Sequence, residues 1–187
     1  LHAVAYAPRQ DLQGRVTDSS REGFCQAMDA SCHSFIRLAR LAEPLMPHGG
    51  SLITMSYLGG AEVVPHYGIM GPVKAALESA TRYLAAELGP AGIRVNAVCP
   101  AVIDTDMFRR AYEADPRKAE FAAAMHPLGR VGRVEEIAAA VLYLLHGYGQ
   151  DRYEWVTKGQ VQRLADAMIR DGEIPPCVIV MPSAGTS

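Results

Sequence analysis

Long apolar runs are absent from this chain of 187 residues. No stretch approaches the roughly 18 apolar residues that a membrane-spanning helix needs, and the N-terminus lacks the layout of a signal peptide. Both absences point away from a membrane and toward the cytoplasm. Cysteine is scarce: the four residues at 25, 32, 99 and 177 form no C-x-x-C pair, which excludes a zinc knuckle and a disulfide framework. Buried free thiols in a reducing compartment are the reading that remains. Charge of one sign is lacking too. Charged residues make up 20% with a formal net charge of -2, so nucleic acid and anionic lipid are not expected partners. The six histidines are scattered, and no cluster suggests a metal.

Hydrophobic residues make up 49% of the chain, enough for a sizeable core, and the length suits one domain or slightly more. Residues 1–7 read as a buried strand ended by Pro8; since Leu1 stands in mid-strand, a fragment or recombined chain is expected. Residues 9–20 read as loop. Residues 21–46 carry Phe24, Met28, Phe35, Leu38, Leu41 and Leu45 at helical spacing, up to the stop at Pro47 and Gly49-Gly50. A strand over Ser51–Tyr57, a helix over 67–88 and a strand over Ile93–Val98 follow. Residues 101–133 read as loop and short helix, and Arg133–Leu145 as helix. The tail is expected to hold a helix over 159–171 and a strand over Cys177–Met181, which could complete the sheet as a substitute last strand. Strands alternating with helices at these lengths imply an α/β fold with a parallel sheet. Ligands of such sheets bind beyond the carboxyl ends of the strands.

One pair near such an end carries chemistry. Tyr67 and Lys74 are seven apart, about two turns along one face of the expected helix. A free phenol, with a pKa of about 10, is a poor proton-transfer group at neutral pH, and a nearby ammonium would pull that value down. The tyrosine could then trade a proton with a carbonyl or enolate oxygen, and the lysine is long enough to reach a ribose. The pair alone is weak evidence, since a surface lysine and a half-buried tyrosine at this spacing are common on helices.

Its context is more specific. Tyr67 and Lys74 follow a strand and precede Ile93-Arg-Val-Asn-Ala-Val98, an order that resembles the short-chain dehydrogenase/reductase family. Ser56-Tyr57-Leu58-Gly59, then Tyr67-Gly-Ile-Met-Gly-Pro-Val-Lys74-Ala-Ala-Leu-Glu78, resembles its bacterial NADH-dependent enoyl-acyl-carrier-protein reductase branch, as do Ala5-Tyr6-Ala7-Pro8 and Arg21–Asp29. The specific resemblance covers about residues 1–98. It implies NADH-dependent reduction of an acyl-carrier-protein-bound 2-enoyl thioester in fatty-acid synthesis. It also implies residue roles: Tyr67 on the thioester carbonyl, Lys74 on the nicotinamide ribose, Tyr57 lining the acyl site, Ala7 meeting substrate through its backbone, Ala5 passing the dinucleotide, and Ile103 and Thr105 touching the nicotinamide amide and pyrophosphate. For Tyr57 a plain strand-end aromatic, and for Thr105 a helix N-cap, are the competing readings. Members commonly form tetramers through the helices that here span about 21–46 and 67–88.

Four departures from the family patterns matter. No G-x-x-x-G-x-G turn opens a helix, so the expected fold is a partial Rossmann-like sheet lacking the N-terminal Gly-rich βαβ unit, and NAD affinity should be poor unless that half is supplied elsewhere. In the broader family a serine usually stands thirteen residues before the tyrosine; here that position is Thr54, with Ser56 nearby. Residues 99–145 resemble the broader dehydrogenase family, which keeps a carbonyl or alcohol dehydrogenase open as an alternative, beside an inactive fragment or chimera. The expected division is thus a dehydrogenase-type part over 1–145 and a foreign tail over 146–187. The tail, from His146-Gly-Tyr-Gly149 onward, resembles the start of an α/β-hydrolase esterase, but the chain has no G-x-S-x-G nucleophile.

Overall fold

The computed structural model describes residues 1–112 and 116–144. They fall into two compact units, built around Leu1–Cys99 and Pro100–Tyr143. In the first, a helical turn α1 (Arg9–Leu12) leads to α2 (Arg21–Met28), a π-helical segment (Asp29–His33) and α3 (Ser34–Ala42). Strand β1 (Gly50–Met55), helix α4 (Met70–Leu88) and strand β2 (Ile93–Val98) complete it. The second holds α5 (Asp106–Tyr112), α6 (Pro116–Ala124) and α7 (Val134–Leu144).

β1 and β2 pair in parallel, from Gly50 opposite Ile93 to Met55 opposite Val98. Helix α4 is the crossover between them. Its buried residues, Met70, Val73, Lys74, Leu77, Thr81, Leu84 and Leu88, recur every three to four positions and form one stripe. Leu77, Leu84 and Leu88 of that stripe join Cys32, Phe35 and Ala39 and the strand residues Leu52, Ile93 and Val95 in a single core cluster. Lys74 is the one charged member of the stripe, and it is 5% exposed.

The expected strand over 1–7 is reduced to one bridge. His2 pairs with Thr54 through backbone bonds of 2.7 Å (His2 N–H to Ile53 O) and 3.1 Å (Met55 N–H to His2 O). Beyond it Val4 and Tyr6 are half exposed, so apolar character there is not matched by burial. What holds the segment is polar. The buried His2 ring contacts Thr54 Oγ1 at 2.9 Å and Ser34 Oγ at 2.8 Å. Ser34 Oγ donates to Ala30 O, so it accepts from His2 Nε2 and leaves Nδ1 to accept from Thr54. Burial lowers the His2 pKa, consistent with that neutral ring.

The helix expected over 21–46 is continuous in direction but not in type: it widens into the π-helical segment and ends in a 3-10 turn, Glu43–Leu45. The helix expected from residue 67 starts three residues later, at Met70. The helix over Val134–Leu144 is present. The helix over 159–171, the strand over 177–181 and the boundary at 145/146 lie outside the described residues.

Candidate active site

Tyr67 sits in the turn before α4, between two left-handed residues, His66 (φ 63°) and Gly68 (φ 55°). A side chain at Gly68 would run into the Leu12 carbonyl, so only glycine permits this approach. Tyr67 packs on a small apolar cluster of Ala27, Ile69, Met70 and Val73, which Ala7 also touches. A second glycine seats the ring: a Cβ at Gly59 would meet its Cδ1 and Cε1 atoms. The Tyr57 ring completes the setting, with centroids 4.9 Å apart and planes tilted 56°. Tyr57, Tyr67 and Ala7 are thus brought together in the first unit.

One side of Tyr67 lines an open cavity of about 340 Å³, together with Val16, Val63, Val64, Pro72 and Ala75. It is large enough for a short acyl chain and lined mainly by apolar groups. The cavity lies at the carboxyl end of β1, where parallel sheets place their ligands.

The electrostatics correct the sequence-based expectation. The Tyr67 phenol is not made more acidic. Burial first, then the neighbouring Tyr57 and Cys99, push its pKa up to about 12. Tyr67 precedes the first residue of the helix that carries Lys74, and the groups acting on its phenol are its apolar surroundings, Tyr57 and Cys99. Lys74 instead points its ammonium at the Met55 carbonyl, 2.7 Å away. Burial lowers its pKa, while Cys99 and Glu78 work in the opposite direction. In this arrangement Tyr67 is a neutral hydrogen-bond donor beside an apolar cavity, and Lys74 is a buried cation at the strand end.

Neither hydroxyl in the region of the broader family's serine faces the tyrosine freely. Thr54 is fully buried and bonded to His2, and Ser56 Oγ donates to Glu78 Oε1 at 2.5 Å. The backbone next to Ala5 and Ala7 is fixed from the π-helical segment: Ser31 Oγ accepts from Tyr6 N at 2.9 Å and donates to Tyr6 O at 3.0 Å. Ser31 has no signal in the sequence, and Gly59, Gly68 and Glu78 stand there only as letters of a motif.

Ile103 and Thr105 belong to the second unit. Ile103 forms a parallel bridge with Gly132. Thr105 Oγ1 accepts from Phe108 N at 3.2 Å, so the N-cap reading of Thr105 holds. A capping hydroxyl accepts through its oxygen and keeps its own hydrogen for a ligand. Among the described residues, no group of histidine, cysteine and carboxylate side chains could hold a metal ion. No described helix is long and apolar enough to cross a membrane.

The family model described as enoyl-(acyl carrier protein) reductase matches residues 1–157. The chain is 51% identical over 105 residues to the enoyl-acyl-carrier-protein reductase (NADH) of Synechocystis, covering 56% of this chain and 41% of that protein. It is 40% identical over 151 residues to enoyl-acyl-carrier-protein reductase (NADH) 1 of Rhizobium meliloti, covering 78% of this chain and 53% of that protein. Among solved structures, the reductase of Anaplasma phagocytophilum in complex with NAD superposes with a TM-score of 0.66 at 40% identity, over 77% of this chain and 55% of that one. The Aquifex aeolicus reductase gives a TM-score of 0.68 at 40% identity, over 76% and 56%. The chain therefore spans about half the length of the curated relatives it matches.

Proposed function

Because the chain belongs to the enoyl-(acyl carrier protein) reductase family, we propose that it carries the proton-donor side of an NADH-dependent reduction of a 2-enoyl thioester bound to acyl carrier protein. The observation that carries this reading is the seat of Tyr67, a phenol held neutral beside an apolar cavity with the Tyr57 ring against it.

The residues present fit the nicotinamide half of the cofactor. The Lys74 ammonium has three donors, of which the Met55 carbonyl takes one, so it can also serve a ribose hydroxyl. Ala5 is exposed, with its neighbouring peptide held by Ser31, and would pass the dinucleotide. The roles of Ile103 and Thr105 toward the amide and pyrophosphate rest on the family resemblance alone. When bound, NADH supplies the hydride that adds to the β-carbon of the substrate.

The protein's own part is electrostatic. As the β-carbon is reduced, the carbon–carbon π pair shifts to the bond between the α-carbon and the carbonyl carbon, and the carbonyl π pair moves onto its oxygen, giving an enolate; a proton taken up at the α-carbon completes the saturated thioester. The Tyr67 hydroxyl donates a hydrogen bond to that oxygen and can pass its proton there. The raised pKa keeps the phenol protonated but makes it a weaker acid, so its part is foremost that of a hydrogen-bond donor to the developing enolate oxygen. Tyr57 and the backbone at Ala7 would line the acyl chain. The engagement of Thr54 and Ser56 elsewhere favours this reaction over the carbonyl or alcohol dehydrogenase alternative, which would use a hydroxyl there.

The reading applies to residues 1–145 and places the protein in the cytoplasm, which suits the free thiols of Cys25, Cys32 and Cys99. The exposed Leu41, Leu45 and Tyr83, at 67%, 80% and 71%, offer the helix surface through which a tetramer would pack. The test is to mix the full chain with NADH and crotonyl thioester and to follow NADH consumption. Turnover of the thioester but not of simple ketones is the expected result. NADH binding without any thioester reduction would overturn the reading.

A further inference from the structure

We propose that Glu78 is a positioning residue of this site: it holds Ser56, and with it the end of β1 that presents Tyr57, and it supplies the negative charge that lets the buried Lys74 ammonium persist. The geometry is a two-point grip. Lys74 and Glu78 stand one turn apart on the same side of α4, and the carboxylate acts on the ammonium through space. They hold consecutive residues of the strand end: Lys74 Nζ donates to the Met55 carbonyl at 2.7 Å, and Glu78 Oε1 accepts from Ser56 Oγ at 2.5 Å. Ser56 is 6% exposed, and Tyr57 follows it directly in extended backbone (φ -159°, ψ 153°). The loop after Tyr57 runs over the same helical turn, with a Cβ at Gly60 falling 2.8 Å from Glu78 Oε1.

The charge argument is independent of the grip. A lysine 5% exposed in an apolar stripe is expected to shed its proton unless an anion stands close. Among the described residues, titratable groups that act on Lys74 or feel it include Glu78 on α4, the Cys99 thiol just past β2, and His2 from the N-terminal segment. Cys99 first and Glu78 second raise the Lys74 pKa; burial raises the Cys99 pKa and lowers that of His2, so near neutral pH, where a thiol of raised pKa is uncharged, the anion acting on Lys74 is Glu78. Glu78 is the carboxylate of the set. The effect on catalysis rests on the function proposed above; the effect on Lys74 ionisation does not.

The lysines of the chain are Lys74, Lys118 and Lys158, so carbon-13 labelling of the lysine ε-carbons gives a spectrum simple enough to titrate by NMR. The Lys74 signal is identified by its loss in Lys74→Arg. In the full chain without cofactor, Glu78→Gln should lower the Lys74 midpoint by roughly one pH unit, while Ser56→Ala should leave it in place. In the reductase assay, the alkaline limb of the pH profile should move with the Lys74 midpoint in Glu78→Gln. Ser56→Ala should lower kcat without moving that limb. An unmoved midpoint in a folded Glu78→Gln protein overturns the proposal. If that variant does not fold, Glu78→Asp decides: a midpoint near the wild-type value supports the charge role, and one displaced as far as neutralisation would displace it overturns it. Should the wild type reduce no enoyl thioester, the function fails while the NMR midpoints still judge Glu78.

Discussion

The unit around Leu1–Cys99 and the unit around Pro100–Tyr143 are ordered by different forces. In the first, Phe35, Ile53, Ile69, Val73, Leu77 and Ile93 are each at most 2% exposed. In the second, Ala122 is the buried apolar side chain among the described residues, while Phe121, Met125 and Leu128 are 68%, 68% and 75% exposed. What orders its loops is charge. Arg130 makes two hydrogen bonds to Glu136, of 3.0 and 2.7 Å, and Arg109 makes two to Asp104, of 2.8 and 3.1 Å. Glu136 also accepts from the backbone of Arg133, half of a capping box at the start of α7. The Tyr67 ring is therefore held by apolar packing that salt and mild acid do not touch. The region carrying Ile103 and Thr105 is held by exposed pairs that both weaken.

The largest expected break is in the core. Leu77→Ala should cost about 2–5 kcal/mol in urea melts, as deletions at fully buried sites do. Leu128→Ala should stay within about 0.5 kcal/mol, as exposed substitutions do. Next comes the seat itself. Gly68→Ala forces a left-handed Cβ, at about 1–2 kcal/mol, and drives it toward the Leu12 carbonyl. Thioester turnover should fall far more than the melting temperature indicates, because the Tyr67 turn is displaced before the core is.

Acid should separate the units. The paired arginine holds the Glu136 carboxyl down at about 2 against an ordinary 4.5. A depressed folded-state pKa contributes stability that is present above about 4.5 and lost as pH falls through about 2. Hydrogen exchange of α7 amides should speed up over that window, and Glu136→Gln should remove the pH dependence. Base acts on the other unit, and more weakly. With the folded Tyr67 value raised from 10 to about 12, its contribution is complete below 10 and is lost as pH rises toward 12. Tyr67→Phe should flatten that part of the alkaline stability curve.

The elements that were legible in the sequence are those whose pattern and packing agree. Ile93–Val98 is legible to the residue, and the helix through Leu77, Leu84 and Leu88 is legible except at its start. The start was misjudged because Tyr67-Gly-Ile has no helix breaker that outweighs its apolar period, whereas the left-handed φ of His66 and Gly68 is imposed by the close passage of Leu12. Residues 1–7 misled for the opposite reason: a strand-like composition met pairing only at His2. The site was legible as residue types, since Tyr57, Tyr67 and Ala7 do come together. Its electrostatics were not, because spacing reports neighbours along a helix and says nothing of how deeply a phenol is buried. The clamps made by Ser31 and Glu78 join positions 25 and 22 residues apart, beyond the reach of any local pattern.

Comparing thioester reduction by wild type and Tyr67→Phe, with NADH affinity measured on the same samples, tests the role of the phenol most directly. A donor held neutral in a packed seat predicts a fall in rate of about 10²-fold or more, with NADH affinity nearly unchanged. A phenylalanine variant that reduces crotonyl thioester within about twofold of wild type, against that general acid–base expectation, would contradict it.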